Sequence, residues 1–193
     1  MKRLLPAALL LISCTPLKSY FVRDDWATQD APNVKRLAVV VQPLPDGKEK
    51  AGEAWARVAR RYVNQKRDFL VKKEVTQAGA LDLASVCGGE DAIEGVLLIN
   101  PTLIAKGDGF EIDVTGVLQR CSDGREAWKG SAAGSFPSKD KLLVEVTNVY
   151  VQELGDDVAP YVPPALNVLR PLLDTLPQPK LSEADLEEKL TLD

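Results

Sequence analysis

Histidine does not occur anywhere in the 193 residues. Its absence removes the side chain that most often serves as general base near neutral pH, and with it the commonest zinc ligand. Ser-His-Asp and Cys-His catalytic arrangements are excluded with it. Cysteine is scarce, with only Cys14, Cys87 and Cys121, and none lies in a CxxC spacing. The chain has no GxSxG, GxGxxG, Walker loop or HExxH. Positive charge is also short: 24 Lys and Arg stand against 28 Asp and Glu, a formal charge of −4. Binding a nucleic acid calls for a basic stripe, so no nucleic acid is expected as a partner. No cofactor or metal is expected either. Carboxylates stand side by side at Asp24-Asp25, Glu90-Asp91 and Asp156-Asp157. Calcium asks for roughly 6–8 oxygens, and no spacing here gathers such a set. These pairs read as surface charge near loops and element ends.

Long apolar runs are missing too, apart from the start. Lys2 and Arg3 precede an apolar stretch over residues 4–12, interrupted by Pro6. That is well short of the roughly 20 residues that cross a bilayer. A charged start, a short apolar run and a small residue before the cut read as a secretory signal. The stretch ends in Leu11-Ile12-Ser13-Cys14, which resembles the bacterial lipobox. The resemblance implies that Cys14 carries diacylglycerol on its sulfur, that residues 1–13 are removed, and that the new amine is acylated. One acyl chain holds a protein to a membrane only marginally, whereas two or three hold it lastingly. The alternative is an ordinary signal peptide in which Cys14 is incidental. Thr15 follows Cys14 where lipoproteins kept in the inner membrane of enteric bacteria have Asp. The expected location is therefore the periplasmic face of the outer membrane. Removal of the signal takes Lys2 and Arg3 and moves the formal charge to −6.

With Cys14 modified, Cys87 and Cys121 remain. In an oxidising compartment an even pair reads as a disulfide; the alternative is two separate buried thiols. Residues 14–33 form a tether, but not a polar or Gly/Ser-rich one, because it contains Tyr20, Phe21, Val22 and Trp26. Either this segment packs on the domain as a short strand or arm, or Tyr20, Phe21 and Trp26 form a partner-contact patch near the membrane.

The rest of the chain punctuates clearly. Residues 35–42 (KRLAVVVQ) are nearly all apolar, as in a strand covered on both faces. A helix is expected over 48–65, with Ala51, Trp55, Val58 and Tyr62 forming its stripe. Arg57, Arg60, Arg61 and Lys66 lie mostly off that stripe, as a solvated face or an acidic partner's contact. A strand follows at 68–76, then a short helix at 80–87 stopped by Gly88-Gly89. Residues 95–105 read as a strand in which Pro101 marks a bulge or an edge. Phe110, Ile112, Val114, Gly116 and Leu118 alternate with residues of the other face, the period of a half-exposed strand. Turns at Gly107-Asp108-Gly109 and Ser122-Asp123-Gly124 join this strand to its neighbours, 95–105 before it and 126–136 after it. Ser138 is the expected cap of a helix running to about residue 158. Pro160, Pro163 and Pro164 break it, and a second helix over 164–176 is kinked by Pro171. The fold class is α+β, a single domain with a mixed sheet, an antiparallel meander and helices packed on it. The expected boundaries are 1–13 for the signal peptide, 14–33 for the lipidated tether and 34–177 for the domain. An acidic, mobile tail over 178–193 completes the chain, with Ser182 as the expected cap of a brief helix in it.

Residues 34–158 resemble the small α/β domain of envelope accessory lipoproteins. These include peptidoglycan-synthase activators, transport auxiliaries and the curli secretion lipoprotein. The likeness lies in Lys35-Arg36-Leu37-Ala38-Val39-Val40, the helix after it, and the turns at Asp108-Gly109 and Asp123-Gly124. The chain is also similar to an uncharacterised lipoprotein group of myxobacteria and leptospires. The resemblance implies a non-catalytic binding factor for an envelope protein complex, attached to the membrane through the lipid on Cys14. Other readings are an oligomeric, secretion-associated lipoprotein and a histidine-free envelope hydrolase.

Overall fold

The computed structural model describes residues 16–44 and 48–192. Six strands form one mixed sheet in the order β1-β6-β5-β4-β2-β3. β2 (Arg36–Val41) lies one strand in from the β3 edge, and its side chains from Leu37 to Val41 are all buried. That burial explains why this stretch is apolar throughout rather than alternating. β2 lies parallel to both β3 (Leu70–Thr76) and β4 (Gly95–Lys106). Parallel neighbours need a crossover, and α1 (Glu49–Lys66) supplies the first. Ala51, Ala54, Trp55, Val58, Ala59 and Val63 form its buried stripe, while Tyr62 is only half-buried.

From β4 the chain turns antiparallel through β5 (Gly109–Arg120) and β6 (Glu126–Pro137). Pro101 sits at an edge position, beyond the last residue of β4 paired with β2, so its missing N–H breaks no ladder bond. Residues 17–22 supply the last strand, β1 (Leu17–Val22), antiparallel to β6.

One face of the sheet is covered by α1, α3 (Val144–Leu154) and α4 (Val162–Leu173). There the Trp128 indole lies over two glycines of neighbouring strands. A Cβ on Gly130 would come within 2.7 Å of Trp128 Cζ2 and Leu172 Cδ1, and one on Gly116 within 2.8 Å of Trp128 Cη2. Gly130→Ala is expected to lower stability by about 1–3 kcal/mol through overpacking. A denaturation midpoint equal to that of the parent would show that the indole can move aside.

The other face is covered only in part. The five-residue α2 (Leu83–Cys87) packs Val86 against Ala38, Val40, Ile93 and Val96. Asp82, just before it, caps Ser85 N.

Four expectations need correction. Ser138 does not cap the third helix: its Oγ donates to the carbonyl of Asp108, 2.5 Å away. Asp140 caps the short 3-10 turn Lys141–Leu143 that leads into α3, accepting from Leu142 N at 2.9 Å, and α3 itself has no side-chain cap. The helix also stops at Leu154, not near 158, because Gly155 takes a φ of +98°, a conformation open to glycine. Pro163 and Pro164 start α4 instead of breaking a helix, since their fixed φ suits a first turn. Pro171 lies near the end of α4 and forgoes one ladder bond.

The tail forms the brief helix expected under Ser182, but its mobility is the fourth correction. It folds as α5 (Glu183–Lys189) under a capping box made by Ser182 and Asp185. Asp185 accepts from Lys35 Nζ at 2.7 Å and from Arg36 Nη2 at 2.9 Å. Glu188 accepts from Arg36 and from Lys72 Nζ, and Lys189 donates to the carbonyls of Arg67 and Phe69. Lys35, followed by the bonds from Ser182, holds the Asp185 carboxyl well below the usual carboxylate range. Arg36 and Lys72 lower that of Glu188. Depressed folded-state values mean that this docking contributes stability above about pH 4 and loses it as the pH falls further. Amide exchange in α5 should therefore accelerate in acid before that of β4 does. Equal protection of α5 at about pH 6 and about pH 2 would refute the ion-paired docking.

Candidate interaction surface

No described residues form a group of three or more Asp, Glu, Cys or His able to hold a metal ion. The adjacent carboxylates have ordinary partners. Asp25 is paired with Arg23, which lowers its carboxyl below the usual value. Asp91 lies 3.7 Å from Lys73, and Asp157 lies 3.9 Å from Lys50.

The arginines of α1 are also internally matched. Arg57 and Arg60 meet Glu74 of β3, while Arg57 and Arg61 meet Glu153 of α3. Arg61 further stacks over Tyr150, 5.0 Å from the ring centre. Burial pushes the Glu153 carboxyl up, but Arg61 and Arg57 outweigh it and hold the group below its usual value. A cavity of about 550 Å³ opens beside these groups. Its three arginines are all engaged by the two carboxylates, so it reads as a strap between α1, β3 and α3.

The expected site residues separate in space. Cys14 lies outside the described residues. Cys87 at the end of α2 and Cys121 just after β5 are joined by a disulfide, with Cα atoms 5.7 Å apart. The bond closes the part of the sheet face covered by α2. Tyr20 and Phe21 lie in β1, opposite Gly130 and Lys129 respectively. Neighbouring residues of a strand face opposite sides, so Tyr20 overhangs the helix-covered face and Phe21 the open one. They are 59 % and 54 % exposed.

Trp26 does not join them, which corrects its place in a partner-contact patch. It is 6 % exposed, its Nε1 donates to the carbonyl of Gln178 at 3.0 Å, and its ring meets Phe69 edge-on. The five-residue π-turn Trp26–Asp30 folds it under the chain. Asp30 is fully buried there and accepts from Arg120 Nη1 at 2.9 Å.

What remains exposed is a surface built on β1. The strand pairs with β6 on one side and has no partner on the other among the described residues. Beside it the open sheet face carries a row of small polar residues. Ser19 lies opposite Ser131, Ser131 opposite Thr115, and Thr115 opposite Asn100. The first two hydroxyls are 2.9 Å apart. Such a surface offers unpaired backbone groups at the edge, two aromatics at the rim and hydroxyls across the face. It suits peptide or protein contact and has no reactive group.

A second exposed feature escaped the sequence pattern. Leu142 is 92 % exposed, and Val144 beside it is also exposed. The run Leu142-Leu143-Val144 holds more apolar residues than one helical stripe can bury: Leu143, Thr147 and Tyr150 take the inner face. Behind Val144 a cavity of about 560 Å³ is lined by Thr147, Asn148, Ala159, Pro160 and Pro163. Thr147 Oγ1 is buried without a hydrogen-bond partner.

No family model matches the sequence, and no curated protein matches it. Among solved structures the chain is similar to PelC from Paraburkholderia phytofirmans, in two dodecameric forms. For the L103M form the identity is 15 %, with 76 % of this chain and 96 % of the other covered and a TM-score of 0.37. For the second form the values are 18 %, 67 %, 89 % and 0.36. Lipoprotein GNA1162 from Neisseria meningitidis is similar at 14 % identity, covering 63 % of this chain and 99 % of its own, with a TM-score of 0.38. Likeness at this level assigns neither a family nor an activity.

Proposed function

We propose that the chain is a lipid-anchored protein of the bacterial cell envelope that binds an envelope protein and performs no catalysis. Cys14 is the lipid-bearing residue, and the periplasmic face of the outer membrane is its location. The observation that carries this reading is the free edge of β1. Proteins usually blunt such edges, because unpaired strand groups recruit another chain. Here the edge bears two exposed aromatics and begins three residues after Cys14. An extended segment of a partner would add to β1 as a further strand, with Tyr20 and Phe21 setting specificity on alternate faces. The Cys87–Cys121 bond suits an oxidising compartment.

The test is photo-cross-linking in cells, with the reactive group at Tyr20 or Phe21 and a Cys14→Ala control. One dominant envelope protein trapped from both positions, and lost in the control, is the expected result. Cross-links only between copies of the chain would replace the accessory role with self-assembly. Products equally abundant from an α5 position would refute the β1 edge as the binding surface.

A further inference from the structure

We infer that the end of the domain bearing Leu142 rests on the bilayer that holds the lipid anchor, with Leu142 and Val144 entering the headgroup boundary. The inference rests on the lipidation of Cys14 proposed above.

Strand direction fixes which end this is. β1 runs antiparallel to β6, with Leu17 opposite Ala132. Its start therefore points the same way as the end of β6. That end continues through Pro137, which pairs with Gly109 beside the β4–β5 turn. Ser138 N and Oγ both bond the carbonyl of Asp108 in that turn. The chain then enters Lys139, Asp140, Lys141 and Leu142. The start of α4 belongs to the same end, since Tyr161 stacks on Phe110, with ring centres 5.2 Å apart. The N-terminal lipid, Leu142, Val144 and the cavity behind Val144 thus share one end of the molecule.

The tether is too short to hold this end away from the membrane. Pro16 is already fixed, its carbonyl accepting from Ala133 N at 2.8 Å. From Leu17 back to Cys14 is three residue steps, which span at most about 11 Å. Ala132 to Pro137 covers a further length of about 17 Å in the same direction. A lipidated Cys14 therefore brings the Leu142 end against the headgroups, because the end of β6 reaches as far as the tether does.

The side chains present there fit a bilayer better than water. A leucine 92 % exposed at the first turn of a helix has a use when that turn meets an apolar phase. Ile104, three residues before the β4–β5 turn, is a third large apolar side chain left in solvent at this end. Lys139 and Lys141 flank Leu142 and can extend their ammonium groups to phosphates while their stems lie along the apolar boundary. Asp140 is occupied as the cap, and Lys106 is paired with Glu111. Charge at this end is mixed, with Asp108 and Glu145 also present, so apolar insertion provides the contact and anionic-lipid attraction does not. The opposite end carries the ion pairs of α5 and Arg120; its exposed Leu186 and Leu190 lie at the end of the sheet away from the anchor.

The experiment uses the mature lipidated chain in vesicles of phosphatidylethanolamine and phosphatidylglycerol. Leu142→Cys, and separately Glu187→Cys on α5, are labelled with an environment-sensitive fluorophore. Cys87 and Cys121 stay in their disulfide and do not react. Both positions are exposed, so neither substitution threatens the fold. The label at 142 is expected to shift to the blue on incorporation and to be quenched several-fold more by brominated acyl chains than the label at 187. Equal, water-like spectra at both positions in lipidated protein overturn the docking and leave the anchor intact. An intact mass showing Cys14 unmodified overturns the premise itself. Protection of the 142 label in cells but not in vesicles assigns this end to a protein and overturns the bilayer as its partner.

Discussion

The Cys87→Ala, Cys121→Ala double variant is expected to lose about 4 kcal/mol of unfolding free energy, by the chain-entropy account of a cross-link. The two residues are 34 positions apart, so the bond removes a long loop's freedom from the unfolded chain. The folded state depends on it for a separate reason. α2 has only five residues, too few to persist as an isolated helix. It is held by a small apolar cluster in which Cys87 and Cys121 themselves pack beside Val86, Ile93, Val96 and Leu98. Removing the bond should therefore lower the denaturation midpoint and also release the α2 amides to exchange ahead of the β4 amides. Reduction of the parent protein should reproduce both effects. A midpoint unchanged in the double variant would mean that the cluster alone holds α2.

The parts of this fold legible in the sequence are those where one residue pattern decides the outcome. The unbroken apolar run from Leu37 to Val41 could only be a strand covered on both sides, and the strict alternation of β5 could only be a strand with one face exposed. The order of elements follows from these. What stayed hidden depends on residues far apart in the chain. The helix under Ser182 is legible, but its docking is not until Lys35, Arg36 and Lys72 are seen gathered at one corner of the sheet. Trp26 stands open between packing and partner contact until Phe69 and the Gln178 carbonyl close over it. Ser138 caps no helix because the Asp108 carbonyl engages its hydroxyl, and the meander alone brings that carbonyl near. The exposed Leu142 was masked by its own neighbours, since a run of apolar residues at a helix start reads as core. The proposed anchor shows the opposite balance: Cys14 is legible in four adjacent residues, and it lies outside the described ones.

Arg120→Ala is expected to destabilise the protein by about 3–5 kcal/mol, the range for removing one member of a buried ion pair. Arg120 sits at the end of β5 and bonds both Asp123, in the following turn, and Asp30. The two carboxylates differ in consequence. Asp123 is partly exposed and keeps Arg125 N and water as partners. Asp30 is 0 % exposed, and its Oδ2 has no hydrogen-bond partner even with Arg120 in place. Without the guanidinium a buried charge would be left uncompensated. The damage should therefore spread to the turn that Asp30 closes, loosening Trp26 and the path from β1 into β2. A second substitution separates this cause from simple loss of contacts. Asp30→Ala in the Arg120→Ala background removes the stranded charge and should recover a substantial part of the lost stability. If the double variant is as unstable as the sum of the two single variants, Arg120 acts through packing and Asp30 is not its electrostatic partner. Recovery would show that this pair pins the N-terminal segment to the sheet, and so fixes where β1 presents Tyr20 and Phe21.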